Sequence, residues 1–200
     1  MRLVFASNNA HKLEEVRKIL APRTVLSLHD VGFESDIEET GNTLEENSRI
    51  KACTVADWLA EHHAMADTLV FADDTGLEIE ALNGQPGVHT ARWAGEPACD
   101  AANRRKAIAE LEGKNNRNAR FRTVITLVWN GKVEQVCGEV KGQMESEEHG
   151  DYGFGYDPIF TPEGYDKTFA ELPAEVKNSI SHRARALEKL AEKLLFLQKK

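Results

Sequence analysis

The apolar positions of this chain alternate between short runs and helical stripes. Residues 2–6 form a short apolar run, which predicts a strand. Leu13, Val16, Ile19 and Leu20 then recur at helical spacing, with Glu14, Glu15, Arg17 and Lys18 on the other side. A helix is therefore predicted over 12–20, stopped by Pro22. Thr43-Leu44-Glu45-Glu46 places a Glu three residues after a hydroxyl, the pattern of a capping box. A helix is predicted from there to about His62, with Leu44, Ala52, Val55, Ala56 and Leu59 inward.

Residues 68–72 predict a second short strand, with Asp73-Asp74-Thr75-Gly76 at its C-terminal end. Gly84-Gln85-Pro86-Gly87 reads as a turn. Asp100 is a candidate cap for a helix to Leu111, ended by Gly113. Residues 121–129 and 132–140 flank Asn130-Gly131, a dipeptide that favours a type I′ turn, so a β-hairpin is predicted. Residues 171–177 read as a short polar link. Ser181 is the expected cap of a last helix running through Leu187, Leu190, Leu194 and Leu195. The alternation of elements predicts the α/β class. There is no internal repeat, low-complexity tract or linker, so 1–200 reads as one domain. A chain of this length buries roughly 70% of its unfolded surface, enough for a substantial core.

Composition narrows the partners. Hydrophobic residues make up 41% and charged residues 29%, an ordinary globular mix. The net charge of −8 argues against nucleic-acid polymers and anionic membranes, which select a basic face. A triphosphate would still bind, given local cations, a bound metal or both. Cys53, Cys99 and Cys137 are isolated, with no CxxC pattern, which points to a reducing compartment and away from zinc. The opening apolar run is too short for a signal peptide, and no stretch approaches 18 apolar residues, so a cytoplasmic protein is expected. His29, His62, His63 and His89 show no partner pattern and read as surface or core fillers.

Four segments carry candidate chemistry. In the first, Phe5-Ala6-Ser7-Asn8-Asn9-Ala10-His11-Lys12 feeds a helix start, where free N–H groups and the positive dipole end suit phosphate. Lys12 sits where the dipole disfavours a cation, so it wants an anion nearby. The Walker pattern is missing, and a plain polar turn capped by Asn9 explains the segment as well. In the second, Glu38-Glu39-Thr40-Gly41 and Asp73-Asp74 supply carboxylates. Close carboxylates repel, so a divalent cation is a natural partner, and hard oxygen ligands beside phosphate suit Mg²⁺ or Mn²⁺. A solvated turn is the alternative.

In the third, glycines alternate with aromatics through Gly150-Asp151-Tyr152-Gly153-Phe154-Gly155-Tyr156-Asp157-Pro158. Such a segment either lets backbone approach a ligand beside stacking rings or simply closes a sheet with an aromatic turn. Pro158 fixes the direction of Asp157. In the fourth, Lys177-Asn178-Ser179-Ile180-Ser181-His182-Arg183 puts three titratable or cationic side chains around a helix start. It is either an anion and carbonyl site or a charged cap.

Taken together, these segments resemble the inosine triphosphate pyrophosphatase family, over nearly the whole chain and in order. The resemblance rests on residues 7–12; on Glu39-Thr40-Gly41-Asn42-Thr43 with Glu46-Asn47 and Lys51; on Ala72-Asp73-Asp74-Thr75-Gly76-Leu77; on Gly84-Gln85-Pro86-Gly87-Val88 with Ala91-Arg92; on 154–158; and on Ser181-His182-Arg183. It implies an α/β fold with a strongly curved mixed β-sheet and flanking helices, two lobes around a deep central cleft, and a homodimer. It implies that Ser7, Asn8, Asn9, Ala10, His11, Lys12 and Lys51 hold the triphosphate. Glu39 and Asp74 would bind Mg²⁺, with Mn²⁺ a possible substitute and Asp73 beside them. Asp74 would also be the general base, and Thr75 a substrate contact. Phe154, Gly155, Tyr156, Asp157, Lys177, His182 and Arg183 would shape the base and sugar pocket. The family often has Gly where this chain has Asn8; Asn would tolerate a positive φ there better than most residues.

The implied reaction converts a deaminated purine nucleoside triphosphate (ITP, dITP or XTP) and water into the monophosphate and pyrophosphate. Two rivals stay open at this level: a nucleotide pyrophosphatase with another base preference, and a nucleotide-binding regulator that does not hydrolyse.

Overall fold

The computed structural model describes residues 1–62 and 66–197, so His63 lies outside the described residues. Twelve elements carry the architecture, with short 3₁₀ turns between them. In chain order they are β1 (Arg2–Phe5), α1 (Ala10–Ile19), β2 (Val25–Leu26), α2 (Leu44–Glu61), β3 (Thr68–Ile79), β4 (Gln85–Gly87), α3 (Asp100–Glu110), β5 (Asn118–Trp129), β6 (Lys132–Met144), β7 (Phe160–Pro162), α4 (Ala174–Ile180) and α5 (His182–Leu197). The strands form one mixed seven-stranded sheet in the open order β2-β1-β3-β5-β6-β7, with β4 paired to β3. β1 runs parallel to β2 and β3; β4 is antiparallel to β3, and β7 to β6.

The chain divides into two compact units, and the division cuts β3, β5 and β6. The first comprises Met1–Asp74, Thr123–Gly138 and Ala184–Lys200. Its β1 and β3 are buried on both faces, as parallel strands covered by helices must be. Leu3 and Phe5 of β1 and Leu69 and Phe71 of β3 face one way, against Val16 of α1, Leu20 at its C-cap, and Ala186, Leu187, Leu190 and Leu194 from α5. The alternate residues Val4, Ala6, Val70 and Ala72 face the other way, against Ala52, Val55, Ala56 and Leu59 of α2. The period of two in a strand thus assigns α1 and α5 to one face and α2 to the other. The second unit comprises Thr75–Arg122 and Glu139–Arg183. Its core gathers Leu77, Ile79, Ala107, Leu111, Phe121, Phe160 and Phe169, among others.

Local sequence rules explain several boundaries. Thr43 and Glu46 form both halves of a capping box at the start of α2, and the five predicted inward residues of that helix are all buried. Asn130 (φ 48°) and Gly131 (φ 72°) make the type I′ turn between β5 and β6. Four expectations need correction. The strand expected to end at residue 72 runs on to Ile79, so Asp73-Asp74 lies inside a strand rather than after one. The expected turn at 84–87 is a turn centred on Asn83 and Gly84, both with positive φ, followed directly by β4 against β3. Cys99, not Asp100, occupies the cap position of α3; the Asp100 side chain is turned to Gly155 instead. The expected polar link at 171–177 contains α4, a helix whose alternating polar residues hide its single fully buried member, Lys177. Ser181, with extended backbone, closes α4 immediately before α5. Within α5, Leu187, Leu190 and Leu194 are buried, whereas Leu195 is half exposed.

Candidate active site

Two adjacent carboxylates inside a strand must point to opposite faces. Asp73 follows Leu69 and Phe71 on the α1 face, and there it meets Lys12 from the first turn of α1, Nζ to Oδ1 at 3.0 Å. Asp74 follows Val70 and Ala72 on the α2 face, and there it meets Lys51, Nζ to Oδ1 at 3.0 Å. The same ammonium reaches Glu39 Oε1 at 3.1 Å. Asp73 and Asp74 are 1% and 7% exposed, and Lys51 is 7% exposed. Burial of charges this deep is tolerated only when they are paired. The strand register therefore sorts the pair into different partnerships, one per helix.

The segment carrying Glu39 is held against α2 by its own chemistry. Asn47 Oδ1 accepts the Gly41 N–H at 2.8 Å, and Lys51, four residues on and so on the same helix face, takes Glu39. A β-carbon at Gly41 would lie 2.6 Å from Glu46 Cβ and 2.7 Å from Asn47 Oδ1, so only glycine fits this close approach. Ser48 fixes the helix to the sheet. Its hydroxyl donates to the Ala72 carbonyl at 3.0 Å, the peptide just before Asp73, and its oxygen accepts the Thr126 N–H at 2.8 Å. Thr126 Oγ1 lies 2.7 Å from Ser48 Oγ and accepts from Gln135 Nε2 at 2.9 Å. Each hydroxyl has one proton, so the chain runs in one direction: Gln135 to Thr126 to Ser48 to Ala72. Motif reading includes Asn47 without giving it a role, and it does not single out Ser48, Thr126 or Gln135. The available signal is spacing, since Asn47 and Ser48 precede Lys51 by four and three residues on one helix.

The electrostatics of this cluster favour a cation. Glu39, Asp73 and Asp74 bring three carboxylates against the two ammonium groups of Lys12 and Lys51. Asp74 Oδ2 is buried and makes no hydrogen bond among the described residues. Burial pushes the Asp74 carboxyl above its ordinary range, and the nearby Lys51 and Lys12 offset that only in part. For Lys51, burial alone would favour the neutral amine, but Asp74, Asp73 and Glu39 outweigh it and raise the ammonium's pKa. Among the described residues no group of three or more His, Cys, Asp or Glu forms a metal cage. What is present is two carboxylates converging on one ammonium, one with an unsatisfied oxygen. That donor set fits Mg²⁺, which is held by one or two carboxylates with phosphate oxygens and water completing the shell.

The N-terminal loop is organised by two capping hydrogen bonds at the start of α1. Asn9 caps α1 by accepting the Lys12 N–H at 3.0 Å, and Ser7 Oγ accepts the Asn9 N–H at 3.2 Å. Asn8, Asn9, Ala10 and His11 are exposed, and no acidic residue in the first turn neutralises the helix dipole. Among the described residues the non-glycine positions with positive φ are Asp67, Asn83 and Asn130, so Asn8 does not use the tolerance expected of it.

The remaining predicted residues gather in the second unit. Asp157 Oδ2 accepts from Lys177 Nζ at 2.7 Å and from the Phe154 N–H at 2.8 Å. A β-carbon on Gly153 would fall inside that carboxylate, and Gly153 has φ 82°, two separate demands for glycine. Lys177 Nζ lies 4.8 Å from the centre of the Phe154 ring, and Arg183 Cζ lies 5.8 Å from it. Arg183, 2% exposed, also donates to Thr75 Oγ1 over a long 3.4 Å. His182 stacks on Phe121 with ring centres 4.8 Å apart. Tyr156 belongs to the core rather than to an open ring face: it is 4% exposed and its hydroxyl donates to the Thr90 carbonyl at 3.0 Å. Its phenol is held far above the ordinary tyrosine range by burial, with Asp100 adding to the effect.

Comparison with known proteins bears directly on this arrangement. A model of the Ham1 family matches residues 3–193. The chain belongs to the Ham1 family. It is 47% identical over 195 residues to the dITP/XTP pyrophosphatase of Flavobacterium johnsoniae, covering 97% of this chain and 98% of that one. It is 46% identical over 196 residues to the dITP/XTP pyrophosphatase of Bacillus subtilis, covering 96% of each. Among solved structures, the Staphylococcus aureus Ham1 protein superposes with a TM-score of 0.85 at 37% identity, covering both chains in full. A HAM1 protein from Coxiella burnetii superposes at 0.83 with 38% identity over 98% of each chain. The family read from the motifs and the family matched by the whole chain agree, and the Ham1 fold carries the mixed sheet with flanking helices described above.

Proposed function

We propose that this protein is a nucleoside-triphosphate pyrophosphatase that hydrolyses the α–β phosphoanhydride of deaminated purine nucleotides (ITP, dITP and XTP), giving the monophosphate and pyrophosphate. The observation that carries the reading is the buried Lys51 ammonium bridging Glu39 and Asp74 while Asp74 Oδ2 has no partner among the described residues. The names of the curated relatives, dITP/XTP pyrophosphatases at 46–47% identity over nearly their whole length, support the same substrate class.

Each cluster then has a task. Ser7, Asn8, Asn9, Ala10, His11 and Lys12 present the α1 N-terminus and its ammonium to the triphosphate. Glu39 and Asp74 would hold Mg²⁺, which when bound would supply Lewis-acid polarisation of the phosphate and a more acidic water. Asp74 Oδ2, which has no hydrogen bond among the described residues, would take the proton of the attacking water. Lys12 and Lys51 offset the charge that grows on the departing pyrophosphate. Phe154 offers a stacking face, while Lys177, His182 and Arg183 are donors for a 6-keto oxygen, which adenine replaces with an amino group. A site built on such donors discriminates by roughly 10⁴-fold, because donors facing adenine are left unpaired. We propose in addition that the protein works as a homodimer in the cytoplasm; among the described residues no helix is long and apolar enough to cross a membrane.

The test is pyrophosphate release from ITP, dITP, XTP, GTP and ATP, with and without Mg²⁺. The reading requires release from the first three, dependent on Mg²⁺, and little from ATP. Binding of ITP without release would make the protein a nucleotide-binding regulator. Equal rates on ATP and ITP would assign it to a pyrophosphatase of another base preference.

A further inference from the structure

We propose that Asp100 and Arg104 are positioning residues for base selection: together they grip both backbone groups of Gly155 and so set the Phe154 ring beside Lys177 and Arg183. This inference rests on the proposed function and assigns how its base cluster is held in place.

The two residues are four apart on α3 and therefore project from the same face, one turn apart. Asp100 Oδ2 accepts the Gly155 N–H at 2.8 Å. Arg104 Nη1 donates to the Gly155 carbonyl at 2.8 Å. One acceptor and one donor on the helix thus match the donor and acceptor of a single residue. Both bonds involve a charged group, the stronger kind. Arg104 also forms an ion pair with Glu148, Nε to Oε1 at 3.0 Å, without the geometry of a hydrogen bond. Gly155 has φ 63°, and a β-carbon there would meet nothing within 4 Å, so its backbone conformation and not crowding calls for glycine.

Phe154 is consequently fixed from both sides. Its own N–H is held by Asp157 Oδ2 at 2.8 Å, and the next residue is held by α3. Its ring lies against the two cations that serve as donors toward a base. Inosine and guanosine share the 6-keto oxygen and differ by a 2-amino group, so telling them apart depends on rigid placement of the ring and donors. Misplacing such groups by about 1 Å costs roughly 10²-fold in rate. An exposed aspartate in the first turn of a helix also has a simpler role, stabilising the dipole, and the test separates the two.

The experiment measures kcat/KM for ITP and GTP, Kd for non-hydrolysable analogues of both, and Tm, in the wild type and in Asp100→Ala, Asp100→Asn and Arg104→Ala. Asp100→Ala and Arg104→Ala should each lower the ITP-to-GTP preference on the order of tenfold or more. Asp100→Asn, which keeps an acceptor oxygen but loses the charge, should restore most of the preference. A lowered Tm with the preference unchanged would overturn the proposal, leaving a purely structural contact. The Kd ratio reads the clamp even if the wild type hydrolyses neither nucleotide, an outcome that would contradict the functional reading separately.

Discussion

Asp73 and Asp74 differ by one peptide and have different surroundings. Strand alternation gives Asp73 to Lys12 and Asp74 to Lys51, which also holds Glu39, and among the described residues Asp74 keeps a buried oxygen without a hydrogen bond. Asp74→Asn should therefore reduce turnover by on the order of 10²–10⁴-fold, the usual worth of a general base, while ITP binding stays measurable by calorimetry. Near-normal turnover would remove Asp74 from the chemistry. A second expectation concerns its proton. Burial raises the Asp74 pKa, so in the metal-free protein the protonated form persists above the ordinary aspartate range. A group of this kind stabilises the fold at low pH, and that contribution fades as pH rises from the unfolded value through the raised one. A ¹³C carboxyl NMR titration should place its midpoint above the model-peptide value, and added Mg²⁺ should move it down. A metal-free midpoint at or below the ordinary value contradicts the burial argument.

At the scale of elements, motif residues were readable but their supports were not. Thr43 and Glu46 announce the start of α2 because a capping box is local, and both halves form. The hairpin at Asn130-Gly131 is local in the same way. The length of β3 was not legible, since two aspartates and a glycine read as a loop until Lys12 and Lys51 arrive from distant helices to neutralise them. Distance likewise hid the partner of Asp100, read as a cap, since Gly155 is 55 residues away. Lys177 was legible as a candidate and misplaced in a link, because α4 is too short and too polar to show a stripe. Two substitutions separate support from chemistry. Thr43→Ala should cost about 1 kcal/mol of stability, with kcat little changed, because it removes a cap on the exposed end of α2. Ser48→Ala should cost roughly 1–3 kcal/mol by leaving the Ala72 carbonyl and Thr126 N–H short of partners. It should also lower kcat, since that bond anchors the helix bearing Lys51 to the peptide before Asp73. Thermal melts beside steady-state kinetics decide both, and a kcat unchanged in Ser48→Ala would reduce the chain to scaffolding.

At the scale of the whole molecule, the fold class followed from the alternation of elements, and the family from six motifs in order that the whole-chain comparison bears out. The two faces of β1 and β3, one under α1 and α5 and the other under α2, explain why one helix presents Lys12 and another Lys51 to adjacent residues of one strand. The position of cleavage is read directly from the products formed from ITP in the presence of Mg²⁺. Cleavage of the α–β anhydride gives inosine monophosphate and pyrophosphate in equal amounts, with release lost on chelating the metal. Inosine diphosphate with inorganic phosphate, or equal amounts of the predicted products without any divalent metal, would contradict it.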